Sequence, residues 1–389
     1  MSKPKVLFYV QHLLGIGHLK RATTLARAMT DAGLQVTVVS GGEYVPVIDD
    51  SGMEFVQLPA IRAEDRTFKT LVNMKGAQLS DALKEKRRNK LLNLFNEICP
   101  EILMIELFPF GRRQLEFEVL PLLDTANGAD MRPIIVSSVR DILVEKNNSS
   151  READMVKKAK AYFDHILVHG DPNLIAFEET FPLASELRHM LHYTGYVVER
   201  ESFVHSQNKI GLGEVIVSSG SGAVGELLLR SALRIRKFTY LSEVKWRLLA
   251  GHYMPEEVFE SIRASADKGV MVERARPDFI SLLQNCRLSI SQGGYNTVME
   301  VLATGANGIA VPYAGGRETE QTLRVKLMEK RGLIRQIPEE QLSDKILIEA
   351  VNRTQNQTRN KKFKINMDGA IASANLVATW AKELKDSYA

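Results

Sequence analysis

Three glycine-bearing segments carry the residue types from which a phosphate or sugar site could be built. Gly220-Ser221-Gly222-Ala223-Val224-Gly225 follows the apolar run Val215–Ser219. With Glu243 about twenty residues on, its G-x-G-x-x-G spacing in a strand–turn–helix context is the dinucleotide fingerprint. Any pyrophosphate over a helix N-terminus asks for the same glycines, so the motif points to a diphosphate more firmly than to nicotinamide. Gly15-Ile16-Gly17-His18 follows a second apolar run, Lys5–Val10. There the fingerprint fails, because Lys20 stands where a glycine is required. What remains is a histidine at the mouth of a parallel sheet, where α/β proteins bind ligands, set against the plainer reading of a helix-capping residue.

The richest segment runs from Ser289 to Arg324. Gly293-Gly294 ends a strand and opens a helix, which makes a second phosphate-ready terminus. Thr297 and Glu300 fall in the first turns of that helix, where a carboxylate can accept bonds from paired ribose hydroxyls. Glu320 and Gln321 open the next helix and can bond sugar hydroxyls. A NAD-binding domain has no use for this second half.

These segments need strands and helices to hold them, and the chain repeats one grammar twice. Short apolar runs at 5–10, 35–40, 102–105, 133–136 and 165–168 alternate with amphipathic stretches, the first a helix of roughly residues 18–32. The pattern restarts with 214–219, a helix over Ala223–Arg234, and strands at 238–241, 270–273, 288–291 and 308–312. Short buried runs alternating with helices indicate parallel strands in βαβ units. A polar stretch between Gly195 and Gly213 divides the chain at about residue 205. Two α/β domains follow, 1–205 and 206–389.

Composition narrows the class. The chain has 389 residues, 44% hydrophobic and 25% charged, with a net charge of +4. That is an ordinary globular composition, too mildly basic to argue for nucleic acid. Cys99 and Cys286 are the only cysteines and form no C-x-x-C, which speaks against a zinc or iron–sulfur site and fits a reducing cytosol. The start lacks a signal-peptide pattern, and no run approaches the ~20 apolar residues that span a bilayer. Residues 62–95 hold nine Lys/Arg against four Asp/Glu. A solvated helix face explains them; the sharper reading is a peripheral contact with an anionic membrane surface or a phosphorylated acceptor.

Gly-Gly-x-x-Thr-x-x-Glu, an apolar strand ending in proline, then Glu-Gln resembles the donor signature of GT-B glycosyltransferases, and of MurG-type family 28 N-acetylglucosaminyltransferases in particular. The resemblance implies two Rossmann-like domains facing a cleft, the N-terminal one taking the acceptor, with a last helix at about 369–384 packing back on it. It implies that Ser219, Gly220, Ser221 and Gly222 hold the donor diphosphate, with Gly17, Gly293, Gly294 and Thr297 adding contacts. Glu300 would bind the ribose, Glu320 and Gln321 the sugar, and backbone near Val272–Arg274 the base. The pair Glu320-Gln321 departs from the more usual Gln-Gln or Asp-Gln, which leaves the donor sugar open.

The implied reaction is a single inverting displacement from a nucleotide-diphosphate sugar, UDP-GlcNAc for example. No D-x-D occurs, so neither a metal nor a cofactor is expected, and helix N-termini at Ala223 and Tyr295, with Arg274, Arg276 or Arg317, would stabilise the leaving group. His18 is the expected base, since an imidazole titrates near neutrality. Glu106 and Asp141 rival it, both following apolar strands; Glu106 leads through aromatics to Arg112 and Arg113. Gly15, His12, Arg112 and Asp141 are assigned to the acceptor, whether small molecule, glycan or lipid-linked. A cytoplasmic enzyme follows, peripheral at the inner membrane face if the basic stretch binds lipid. The other readings are a nucleotide-sugar 2-epimerase on the same scaffold, a NAD-dependent oxidoreductase, and a non-catalytic sugar-nucleotide-binding subunit.

Overall fold

The computed structural model describes residues 3–13, 15–45, 52–65, 70–143, 149–199, 209–220, 225–313, 320–356 and 364–388. They divide into two compact units, residues 1–197 with 365–389, and residues 198–364.

In chain order the first unit contains β1 (Lys5–Val10), α1 (Gly17–Asp31), β2 (Gln35–Ser40), β3 (Glu54–Gln57), β4 (Ile61–Ala63), β5 (Leu71–Asn73) and α2 (Asp81–Ile98). β6 (Ile102–Glu106), α3 (Glu116–Asn127), β7 (Ile134–Arg140), α4 (Ser149–Tyr162), β8 (His165–His169) and β9 (Leu191–Tyr193) follow. Seven strands form one sheet in the order β3-β2-β1-β6-β7-β8-β9, with every pairing parallel. β4 and β5 make a separate antiparallel pair. The second unit contains β10 (Val215–Ser218), α5 (Glu226–Ile235), β11 (Trp246–Ala250), α6 (Glu256–Ala264), β12 (Val270–Arg274), α7 (Phe279–Asn285) and β13 (Leu288–Ser291). It continues with α8 (Tyr295–Thr304), β14 (Gly308–Ala310), α9 (Glu320–Lys330), β15 (Arg335–Gln336) and α10 (Asp344–Thr354). Its sheet runs β12-β11-β10-β13-β14-β15, again all parallel. The final helix, α11 (Gly369–Tyr388), folds with the first unit. It packs on α1, stacks Trp380 on His165 at 3.8 Å and pairs Lys385 with Glu101 at 3.0 Å.

Both sheets are doubly wound, as the alternating pattern predicts. Strand order reverses between β1 and β6 in one and between β10 and β13 in the other. A parallel sheet opens a ligand crevice outside the carboxyl ends of the strands at such a switch point. The segments following these four strands are Gln11–His18, Leu107–Arg112, Ser219–Gly225 and Gln292–Gly294.

Two local readings need correction. The strand expected at 238–241 is a turn in which Phe238 is 63% and Tyr240 79% exposed; the strand lies at Trp246–Ala250 instead. Arg247 disguises it. That side chain is buried in mid-strand because Glu214 and Glu273 pair with it at 2.7 and 2.8 Å. The helix expected from Ala223 begins at Glu226 behind Gly225; Ala223 lies outside the described residues.

The basic stretch is also not one surface. Arg87 is fully buried, its guanidinium forked onto Glu118 at 2.8 and 2.7 Å. It donates further to Gln11 Oε1 at 2.9 Å and to the Gly41 and Pro59 carbonyls, while the Tyr9 hydroxyl donates to Glu118 at 2.5 Å. Arg87 thus ties α2 to β1, α3 and the turns after β2 and β3. Lys75, Lys86 and Lys90 remain exposed, and Arg66 and Lys69 lie outside the described residues.

Removing one partner of a buried ion pair leaves the other charge uncompensated. Arg87→Ala is therefore expected to cost about 3–5 kcal/mol in denaturant unfolding, and Arg87→Met with Glu118→Leu to recover most of the loss.

Candidate functional site

Each unit gathers one cluster of predicted residues at its switch point. In the first unit, Glu106 ends β6 with its carboxylate almost wholly buried. His18, one residue into α1, places Nδ1 2.8 Å from Glu106 Oε1. Arg21, one turn further along α1, pairs with the same oxygen. Ser138 of β7 donates to Oε2 at 2.6 Å. Behind it, His169 of β8 places Nε2 2.9 Å from Ser138 Oγ and Nδ1 3.0 Å from Thr194 Oγ1. A chain of hydrogen bonds therefore crosses the carboxyl ends of β6, β7 and β8 and terminates on the His18 ring.

The electrostatics follow from this packing. Burial alone would raise the Glu106 carboxyl, but Arg21, His18 and the Ser138 hydroxyl outweigh it and hold the group well below the ordinary carboxylate range. An ionised carboxylate only accepts, so it fixes the proton of neutral His18 on Nδ1 and leaves Nε2 as a lone pair. Burial pushes His18 down to about 3 against the Glu106 hydrogen bond, with Arg112 and Arg21 adding to the shift. The ring is neutral at pH 7, yet its side chain keeps 15% exposure and can be reached. This is the geometry of a base oriented by an acid.

The remaining first-unit residues sort unevenly. His12 is buried, and burial followed by Arg112 lowers it to about 4. Gly15 adopts a left-handed φ of +76° with open space where a side chain would start, so the turn into α1 leaves room beside the helix N-terminus. Asp141 is buried behind the sheet end and accepts from the Tyr196 hydroxyl at 2.9 Å, which suits a brace more than a base. Arg112 lies in the loop after β6, itself at φ +61°.

In the second unit, Gly220 follows β10 at φ +71°, and its N–H donates to the Ser218 hydroxyl oxygen at 3.2 Å. Ser219 is occupied structurally, accepting from Gly251 N at 3.1 Å and donating to the Leu249 carbonyl at 3.3 Å. Gly225 explains the third glycine of the motif. Its Cβ would stand 2.3 Å from that of Ser219, so helix and strand approach too closely for any side chain. Ser221 and Gly222 lie outside the described residues. Gly293 is similarly enforced by Pro312 and Val325, whereas Gly294 caps α8 with open space around it.

Glu300 is buried on α8. Glu320 opens α9, also buried, and Arg324 pairs with it at 2.6 Å while lying 5.1 Å over the Tyr295 ring. Gln321 accepts from Tyr313 N at 3.2 Å. Val272 and Arg274 lie on β12, but the Arg274 guanidinium is spent on the Gly251 and Met254 carbonyls and on Glu256. Arg276 is likewise paired with Asp278 and Glu273. Neither is free to meet a leaving group, and Arg317 lies outside the described residues. Glu243 precedes β11, so it sits at the amino end of the sheet, opposite Gly220, where it cannot reach a ribose held by the glycine turn. That geometry removes the basis for the NAD reading.

Residues 226–378 match the model of the glycosyltransferase family 28 C-terminal domain. The matched stretch begins with α5 and runs through the rest of the second unit into α11. Over 192 residues it is 22% identical to the UDP-N-acetylglucosamine–N-acetylmuramyl-(pentapeptide) pyrophosphoryl-undecaprenol N-acetylglucosamine transferase of Thermotoga neapolitana. That match covers 49% of this chain and 53% of the relative, about half of each. Among solved structures the calicheamicin glycosyltransferase CalG4 superposes with a TM-score of 0.61 at 16% identity, covering 99% of this chain and 98% of that one. A candidate UDP-N-acetylglucosamine 2-epimerase from Listeria monocytogenes gives 0.63 at 12% identity, covering 100% and 98%. These likenesses establish GT-B as the fold.

Of the residues gathered around His18, Arg21 and Ser138 went unread in the sequence, as did Arg324 beside Glu320, and His169 has no spacing that sets it apart from a structural histidine. Arg21 alone had a local signal, the i,i+3 spacing from His18 on one helix face.

Three histidines with depressed titration set a pH dependence. His12, His18 and His169 are held by burial near 4, 3 and 3, below the ~6.5 of an unfolded chain. Below about pH 6.5 the unfolded chain binds protons that the native state refuses, so stability present at neutral pH is lost as pH falls toward 4. Melting temperatures measured from pH 8 to 4.5 should drop progressively below 6.5, and His169→Asn should flatten the slope.

Proposed function

We propose that the protein transfers a sugar from a nucleotide-diphosphate donor, a UDP-sugar such as UDP-GlcNAc, to a hydroxyl of an acceptor. The observation that carries this reading is the His18–Glu106 pair. It presents an unprotonated Nε2 at the switch point of the first unit, while the family 28 domain supplies the donor half. The acceptor oxygen attacks the anomeric carbon, the bond from that carbon to the diphosphate breaks, and the hydroxyl proton passes to His18 Nε2. Glu106 offsets the charge that the imidazole then carries. A single displacement inverts the anomeric centre, and N–H dipoles at the start of α8, rather than a metal, receive the charge of the departing diphosphate.

In this reading Gly220, Ser221 and Gly222 cradle the diphosphate with Gly293, Gly294 and Thr297, Glu300 takes the ribose, and Glu320 with Gln321 takes the sugar. Ser219 acts by holding the turn. His12, Gly15 and Arg112 shape the acceptor side, and Gly17 adds a donor contact. A cytoplasmic location with surface contact at a membrane is consistent with the exposed lysines of α2; among the described residues no helix is long and apolar enough to cross a membrane.

The fold likeness to the Listeria protein favours a second reading, a nucleotide-sugar 2-epimerase. The two differ in whether product forms without an acceptor. Calorimetry with UDP, UDP-GlcNAc, GDP and NAD should show binding of a uridine nucleotide and none of NAD; NAD binding without any response to nucleoside diphosphates would refute the proposal. His18→Ala should lower UDP release from the donor by ~10²–10⁴ while leaving UDP affinity within a few-fold. Sugar epimerised with no UDP released would move the assignment to the epimerase.

A further inference from the structure

The hydrogen bonds that end on Glu106 have a direction, and it can be followed backwards into the first unit. An ionised carboxylate has no proton to give, so each polar neighbour must donate to it. Arg21 does so, and His18 does so through Nδ1 at 2.8 Å. Ser138 Oγ stands 2.6 Å from Oε2, and its single proton is spent there. The same oxygen lies 2.9 Å from His169 Nε2, so at that contact the serine can only accept. His169 must therefore carry its proton on Nε2. Burial keeps this ring neutral at pH 7, which leaves Nδ1 as a lone pair. Thr194 Oγ1 lies 3.0 Å from that nitrogen and is its donor. His18 and His169 thus hold opposite tautomers, because each gives its proton toward the carboxylate between them.

At its far end this relay meets a hydroxyl with three acceptors in reach. The Gly195 and Val168 carbonyls lie 3.3 and 3.4 Å from Thr194 Oγ1, against 3.0 Å for His169 Nδ1. Turned to either carbonyl, the hydroxyl would offer its oxygen to an Nδ1 proton. His169 Nε2 would then be the lone pair, Ser138 would donate to it, and Glu106 would lose that bond. The backbone holds Thr194 in place: its N–H already fills the Val168 carbonyl at 3.1 Å, and Gly195 N donates to the Gly170 carbonyl at 3.1 Å. Tyr196 N donates to the Asn366 carbonyl at 2.8 Å, and the Tyr196 carbonyl accepts from Gly369 N at 3.1 Å. Gly195, at φ +91°, passes so close to Asn366 that a Cβ would stand 2.5 Å from its Oδ1. The relay is therefore anchored where the polypeptide leaves the first unit, at 194–197, and returns to it, at 365–369.

We propose that Thr194 and His169 are positioning residues for the base: the Thr194 hydroxyl fixes His169 as the Nε2–H tautomer, which commits the Ser138 proton to Glu106 and so steadies the direction of the His18 ring. The word base rests on the glycosyltransferase reading; the polarity of the relay does not. Neither residue touches a reacting atom. Each acts by deciding which way the next hydrogen bond points, and a buried polar series specifies one arrangement only when all its members agree.

The test reads the full chain in two ways. In histidine 15N spectra at pH 7, wild-type His169 should be protonated on Nε2 and His18 on Nδ1. Thr194→Val, which keeps the shape and removes the hydroxyl, should abolish the His169 preference, and Thr194→Ser should restore it. In release of UDP from UDP-GlcNAc, Thr194→Val and His169→Phe should lower kcat by up to ~10²-fold, the loss expected when a reacting group is held out of line. KM should change little, because the loss falls on the transition state, and Thr194→Ser should recover the wild-type rate. The wild-type spectrum decides the tautomer even if neither variant folds. His169 protonated on Nδ1 in wild type, or an Nε2–H preference that survives in Thr194→Val, would overturn the proposal. So would wild-type turnover by Thr194→Val and His169→Phe. A wild type that releases no UDP yet shows the Thr194-dependent tautomer would count against the transferase reading and leave the relay standing.

Discussion

A carboxylate buried at the end of a strand must be ionised by its neighbours or else stay protonated, and Glu106 is ionised. Arg21, His18 and Ser138 together overcome the desolvation that would otherwise neutralise it. The consequences spread in two directions. Toward the substrate side, the anion sets the tautomer of His18 and frees Nε2. Into the protein, it organises Ser138 and through it His169 and Thr194, so four successive parts of the sheet end are locked in one register. Were Glu106 protonated, it would donate rather than accept, and the His18 ring would lose the contact that gives it a direction.

The fold supplies this arrangement at low cost because parallel strands end together. Residues 18, 106, 138 and 169 are far apart in sequence, yet β1, β6, β7 and β8 are sheet neighbours running the same way. The second unit repeats the architecture with different chemistry. Its sheet end carries glycines and a helix N-terminus together with the buried Glu320–Arg324 pair.

Much of this was legible in the sequence, and what was not has identifiable physical reasons. Strands such as Gln35–Ser40 and Leu288–Ser291 read correctly because a strand buried on both faces is a plain apolar run bounded by turn residues. Trp246–Ala250 did not, because Arg247 is neutralised by Glu214 and Glu273, residues 33 and 26 positions away. The glycines of both switch points announced themselves by spacing, and Glu106 by following an apolar strand. Ser138 and His169 carry no local signal: a serine inside an apolar strand reads as filler until the neighbouring strand end is known. Arg87 erred the other way, since a cation in a basic run reads as surface until Glu118 is found opposite it.

The orienting of His18 by Glu106 can be observed without knowing the acceptor. Histidine 15N chemical shifts, recorded on the full chain across pH 8 to 5, report which ring nitrogen carries the proton and when the second arrives. The account predicts a neutral His18 protonated on Nδ1 throughout that range, with the preference lost in Glu106→Gln. A His18 protonated on Nε2 at pH 7, or fully protonated by pH 6, would contradict it.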